Sequence, residues 1–130
     1  MKRLSIIIVT YNSEKDIYDC VNSLRQWTDI PTEALELIVV DNNSRDTDAM
    51  FAQLRELYGN DIVLIKNTRN GGYGQGNNMG IRQATAPVIL IMNPDVRLME
   101  PVFQTALDAF DQWKDLSIHG MKQLLSATVP

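Results

Sequence analysis

Two hydrophobic rhythms alternate along the chain. Four short apolar runs, Leu4–Val9, Leu35–Val40, Ile62–Ile65 and Val88–Met92, are rich in β-branched residues and end in polar or turn-forming residues. Continuous apolar runs of this length predict strands buried on both faces. Between them apolar residues recur at helical spacing. Ile17, Cys20, Val21 and Leu24 fall at i, i+3, i+4 and i+7, one stripe of a helix. Ser13 suits its N-cap, with Glu14 and Asp16 in the first turn, where carboxylates favour the helix dipole. A second helix is predicted from about Asp46 to Tyr58, with Met50, Leu54 and Leu57 on one face and Gly59 at its C′ position. A short helix is predicted near Asn77 to Ala84, stopped by Pro87. Pro101 fits the first turn of a helix whose face is Phe103, Ala106, Phe110 and Trp113. Residues 116–122 predict a last short strand.

The order β-α-β-α-β-α-β-α predicts an α/β domain: a Rossmann-like, mostly parallel sheet with helices on both faces. Ligands of such folds bind beyond the carboxyl ends of the strands. The informative stretches are therefore "TYNS", "DNNS", "NTRNGGYGQGNN" and "NPDV", which follow the four strands in turn. Turn chemistry alone places Asn, Asp and Gly at such positions. Their convergence on one edge of one sheet adds a functional reading.

Composition narrows the classes. A length of 130 residues suits one domain, and 45% hydrophobic residues suit a globular one. A net charge of -4 disfavours a nucleic-acid partner. An anionic ligand would need a local device, such as backbone N–H groups, a helix N-terminus or a metal ion. The single cysteine, Cys20, excludes an intrachain disulfide and a cysteine-based zinc site. As a nucleophile it would need His119, the one histidine, so a small core residue on a helix face is expected. The positive, then apolar start "MKRLSIIIV" is too short for a signal-peptide core. No run approaches the ~20 apolar residues of a membrane span, so a soluble cytoplasmic protein is expected.

Gly71, Gly72, Gly74, Gly76 and Gly80 suggest a phosphate cradle, but no Gly-Lys-Ser/Thr follows, and Met79 stands where a dinucleotide fingerprint needs glycine. A flexible connection and a close backbone approach to a ligand both remain open for this loop.

Taken in series, "SIIIVTYNSEKDI", "ELIVVDNNSRDTD", "NTRNGGYGQGNNMGI" and "PVILIMNPDVRL" resemble family 2 glycosyltransferases of the GT-A fold over residues 4–98, with "NPDV" similar to a rhamnosyltransferase-like subgroup. The resemblance implies inverting transfer of a sugar from a nucleoside diphosphate sugar to an acceptor hydroxyl, in polysaccharide or cell-surface glycan synthesis. It implies that Thr10, Tyr11 and Asn12 line the nucleotide pocket, with Glu14 close by and Asn43 in the second strand-end motif. Asp41 would contact the base; an Asx turn or a cap for the next helix is the other reading, and the two are compatible. Gly72 and Asn78 would lie beside the nucleotide-sugar, and Arg69 near a phosphate. Asn93-Pro94-Asp95 occupies the Asp-x-Asp position, so Asp95 would hold Mg²⁺ or Mn²⁺ against the diphosphate, with Asn93 in place of the first acid.

An inverting transferase also needs a general base. The acids after Asp95 (Glu100, Asp108, Asp111 and Asp115) fall on the predicted helix, so the base is expected beyond residue 130. The chain reads as the nucleotide-binding portion of a longer enzyme, with exposed apolar surface and self-association as consequences. The alternative is a module that binds a nucleoside diphosphate and transfers nothing, or an inactive remnant. The resemblance leans to a dTDP-sugar and leaves UDP- and GDP-sugars open. It implies a glycan or lipid-linked acceptor, which would put the protein at the inner membrane face.

Overall fold

The computed structural model describes residues 1–112. Its elements are β1 (Leu4–Thr10), α1 (Glu14–Trp27), β2 (Leu35–Asn42), α2 (Thr47–Tyr58), β3 (Ile62–Asn67), α3 (Tyr73–Gln83), β4 (Val88–Met92) and α4 (Phe103–Gln112). The strands form one sheet in the order β3-β2-β1-β4, and every neighbouring pair is parallel. The expected α/β architecture is thus present. Trp113 and the strand expected at 116–122 lie outside the described residues.

Strand alternation divides the core in two. Ile6, Ile8, Leu37 and Val39 join Ile17, Leu24, Met50, Leu54 and Phe103 in the larger cluster, under α1, α2 and α4. Ile7, Val9, Ile38 and Val40 form the smaller cluster on the opposite face, packed against Met79 of α3. Helices cover both faces because the central strands are apolar at odd and even positions alike.

Several boundaries differ from expectation. Helix α3 begins at Tyr73, not near Asn77, because Gly72 takes a φ of 96° and caps it. Gly76 and Gly80 belong to this helix and face the sheet: a Cβ on Gly76 would meet Val9 Cγ1 at 2.9 Å, and one on Gly80 would meet Ile7 Cγ2 at 2.6 Å. These two glycines serve close helix–sheet approach and are no part of a phosphate cradle. Pro101 precedes α4, whose first N–H groups are capped from a distance by Asp29, which accepts from Phe103 N at 3.2 Å and Gln104 N at 3.3 Å. Ser13 holds the N-cap position of α1 without capping it; its hydroxyl turns back to Tyr11. On α2, Met50 and Leu54 are buried while Leu57 is half-buried.

From β1 the chain crosses to β2 and β3 on one side, then returns through α3 to β4 on the other. Between β1 and β4 the direction of winding reverses. Beyond the carboxyl ends of two such strands lies the usual ligand crevice of an open α/β sheet.

Candidate functional site

A cleft of ≈ 470 Å³ opens at that switch point. Its walls include Thr10 and Tyr11 after β1, Asn42 at the end of β2, Tyr73 at the start of α3, and Asn93 and Asp95 after β4. Register brings these together: Thr10 is level with Asp41, and Ile8 with Met92, so "TYNS" and "NPDV" emerge side by side. Tyr11 is 55% exposed beside the cleft, so its ring is open to stacking by a ligand.

Beneath the cleft, Asp41 is fully buried. It accepts hydrogen bonds from Thr10 Oγ1 at 2.7 Å, Ser44 Oγ at 2.5 Å, Ser44 N at 2.9 Å and Thr47 Oγ1 at 2.6 Å. Burial pushes the carboxyl up, but the hydrogen bonds from Ser44, Thr47 and Thr10 outweigh it and hold the pKa below its usual value. A carboxylate has about four acceptor sites, and here all are filled. The base contact implied by the resemblance would require one hydroxyl to be displaced. As built, Asp41 ties the end of β1 to the start of α2.

The Asn93–Val96 turn is closed by Val96 N donating to Asn93 O at 3.1 Å. The Tyr73 hydroxyl donates to Asn93 Oδ1 at 2.7 Å, bridging α3 to this turn and leaving the Asn93 amide N–H groups as the donors beside the cleft. Asp95 is exposed. Among the described residues no three His, Cys, Asp or Glu side chains converge as a metal cage. The single Asp95 carboxylate suits a hard cation that completes its shell with substrate phosphate and water.

The family model described as Glycosyl transferase family 2 matches residues 5–123. The chain belongs to glycosyl transferase family 2. It is 31% identical over 134 residues to the poly(ribitol-phosphate) beta-N-acetylglucosaminyltransferase TarS of Staphylococcus aureus strain Mu50, covering 100% of this chain and 23% of that protein. It is 35% identical over 94 residues to a poly(ribitol-phosphate) beta-glucosyltransferase of Bacillus spizizenii, covering 72% of this chain and 15% of that one. The chain thus spans less than a quarter of the length of these curated relatives. Among solved structures, S. aureus TarS 1-349 in complex with UDP-GlcNAc superposes with a TM-score of 0.73 at 28% identity, covering 85% of this chain and 31% of that one. The mannosyltransferase PcManGT from Pyrobaculum calidifontis, in complex with GDP-Man and Mn²⁺, gives 0.75 at 24% identity over 83% of this chain and 32% of its own, which speaks for the GT-A fold alone.

Set on this family 2 scaffold, the residues named from sequence divide. Thr10, Tyr11, Asn93 and Asp95 line the cleft. Asn12 and Asn43 take left-handed backbone, with φ of 49° and 60°, which Asn tolerates better than other side chains. Asn12 latches the two strand-end loops, its N–H donating to Ser44 Oγ at 2.8 Å and its Oδ1 accepting from Arg45 N at 3.1 Å, whereas Asn43 is exposed. Glu14 sits in the first turn of α1, off the cleft wall. Gly72 caps α3, and its carbonyl accepts from Asn42 Nδ2 at 3.0 Å. Asn78 is exposed on α3; its neighbour Asn77 is the buried one, and Asn77 Oδ1 has no partner among the described residues. Sequence reasoning missed Asp16, Asn42, Asn70 and Tyr73. The period of β2 was a usable signal for Asn42, as it continues the Ile38–Val40 face toward α3.

Cys20 lies under the Asn93 turn, fully buried, with its thiol pushed up to about 11 by burial, against a smaller lowering by Arg97 and with small upward contributions from Asp95 and Asp16. The expectation of a core residue holds. A thiol reagent at pH 8 is expected to leave the native protein unmodified and to react fully once the chain is denatured. Rapid labelling under native conditions would contradict this burial.

Proposed function

We propose that this cleft binds the nucleoside diphosphate of a sugar donor, and that the chain is the donor-binding portion of an inverting glycosyltransferase in cell-surface glycan synthesis. The observation that carries the reading is the convergence of "TYN", Tyr73 and "NPD" on one cleft at the switch point of the sheet. The base stacks on Tyr11, the diphosphate lies between the start of α3 and Asp95, and Gly72 and the Asn93 amide stand beside it. Asp41 meets the base only where it gives up one hydroxyl partner. A Mg²⁺ or Mn²⁺ ion held by Asp95 would supply charge neutralisation for the departing diphosphate, which an acidic chain otherwise lacks.

A UDP-sugar is the first choice of donor, because a 28% identical neighbour is described in complex with UDP and with UDP-GlcNAc. Poly(ribitol-phosphate) in the relatives' names makes a polyol-phosphate chain the proposed acceptor, ahead of a lipid-linked glycan. No described helix is long and apolar enough to cross a membrane; the proposed location is the cytoplasmic side of the membrane, reached peripherally. Self-association through the exposed Ile81, Ile91 and Met99 belongs to the same proposal. Of the described carboxylates that line the cleft, Asp16 is paired with Arg97 at 3.5 Å and Asp95 is taken for the cation, so no described residue is assigned as general base. That favours nucleotide binding without transfer as the second reading of these residues.

Titration of the protein with UDP, dTDP and GDP, with and without Mn²⁺, tests the proposal. UDP is expected to bind tightest, with Mn²⁺ improving affinity about tenfold, or 1.4 kcal/mol, and Asp95→Ala removing that improvement. Binding of none of the three nucleotides would overturn the reading.

A further inference from the structure

Arg97 follows Asp95 by two residues and stays off the cleft wall. Its guanidinium nevertheless makes four polar contacts. Nη1 donates to Pro94 O at 3.4 Å and Val96 O at 3.1 Å, while Nη2 lies 3.5 Å from Asp16 and 3.6 Å from Asp19. One rigid fork thus holds the carbonyls of the Asn93–Val96 turn and the carboxylates of α1 together, a geometry that the point charge of lysine does not match. Two further contacts bind the same segment to the same helix. Cys20 Sγ is 3.9 Å from Asn93 O, and Leu98 N donates to Ser23 Oγ at 3.0 Å. Asp16, Asp19, Cys20 and Ser23 fall at i, i+3, i+4 and i+7, a single stripe of α1. That stripe is the bed on which the turn bearing Asp95 lies.

We infer that Arg97 is a positioning residue, which fastens the Asn93–Asp95 turn to α1 and so keeps the Asp95 carboxylate aimed into the cleft. The inference rests on the reading of Asp95 as a cation ligand. The ion pairs are half-exposed, with side-chain exposure of 29% for Arg97 and 52% and 69% for the two acids. Pairs of this kind add little to global stability, so the effect of Arg97 belongs to the aim of the turn. Groups that orient a metal ligand from outside typically matter about 10- to 100-fold in metal affinity.

Position and charge predict different results. Arg97→Ala makes the region more negative, whereas Asp16→Asn/Asp19→Asn makes it less negative, and both cut the fastening. Were Arg97 only a source of field, the two changes would move cation affinity in opposite directions. Fastening predicts that both lower the Mn²⁺ enhancement of UDP binding, by about tenfold for Arg97→Ala, with metal-free UDP affinity of that variant held within about twofold and Arg97→Lys intermediate. The experiment is calorimetric titration of UDP with and without Mn²⁺ on the wild type, these variants and Asp95→Ala. A wild-type enhancement that Asp95→Ala removes and Arg97→Ala retains would overturn the inference and leave the cation reading standing. Opposite shifts in the two charge variants would overturn it in favour of a field effect. A wild type without any Mn²⁺ enhancement would remove the cation reading, and the inference with it.

Discussion

Asp41→Asn is expected to lower the stability of the domain by about 3 kcal/mol at pH 7, the loss of two charge-assisted hydrogen bonds at a buried site. The substitution keeps the size of the side chain and removes two of its acceptor sites. One amide oxygen still accepts from two donors. The new Nδ2 faces the other pair, and where these are the Ser44 N–H and the Thr47 hydroxyl, only the hydroxyl is able to turn and accept. The Ser44 N–H is left without a partner in a place water does not reach. Urea denaturation measures the loss as a lower midpoint with an unchanged slope.

The pH dependence gives the same group a second signature. Asp41 has a folded pKa below its ordinary value of 3.8. The native state therefore prefers the ionised form, and the stabilisation is present above the unfolded value. It is lost as pH falls below 3.8 and through the depressed folded value. The wild type should lose stability along this acid limb faster than Asp41→Asn, so the two curves converge on acidification. Parallel curves, or a difference under about 0.5 kcal/mol at pH 7, would mean that the four-bond hub does not hold Asp41 as an anion.

What was legible in the sequence follows from the range of the interaction concerned. The strands were visible because four apolar runs have few other uses, and their parallel order followed from the helical stripes between them. The candidate site was visible as strand-end motifs, since the topology alone brings those ends to one edge. Signals carried by long-range pairing were not. Asp29 caps a helix 74 residues away, and Arg97 meets acids on α1 that turn up in the sequence as ordinary first-turn and surface carboxylates. Asn42 reaches the cleft wall and Asn43 does not, a difference that strand alternation encodes: Leu37, Val39 and Asp41 face one way, Ile38, Val40 and Asn42 the other. The start of α3 was hidden because glycine reads as a breaker in isolation. At positions 76 and 80 its i, i+4 spacing marks a helix face pressed onto a sheet.

Gly80→Ala tests that last point and links packing to the site. Helix propensity favours alanine by about 1 kcal/mol. Against this, the new Cβ would stand 2.6 Å from Cγ2 and 3.3 Å from Cγ1 of Ile7. Ile7 is fully buried in the central strand, and Cγ2 is fixed to the Cβ of a β-branched residue, so it has little freedom to swing away. Overpacking of this kind costs about 1–3 kcal/mol, so after the gain in propensity a net loss of about 1 kcal/mol is expected. The strain is relieved by lifting α3 off the sheet, and α3 carries Tyr73 at its start and the carbonyl of Gly72 that holds Asn42. UDP affinity should therefore fall along with stability. Ile7→Ala removes both crowding atoms. By itself it should destabilise by about 2–5 kcal/mol, yet combined with Gly80→Ala it should cost less than the sum of the two, by roughly 1 kcal/mol or more. UDP affinity should recover in the double variant, because the helix settles back onto the strand. Additive stabilities with affinity left low would show that the glycine serves the site by some route other than contact with Ile7.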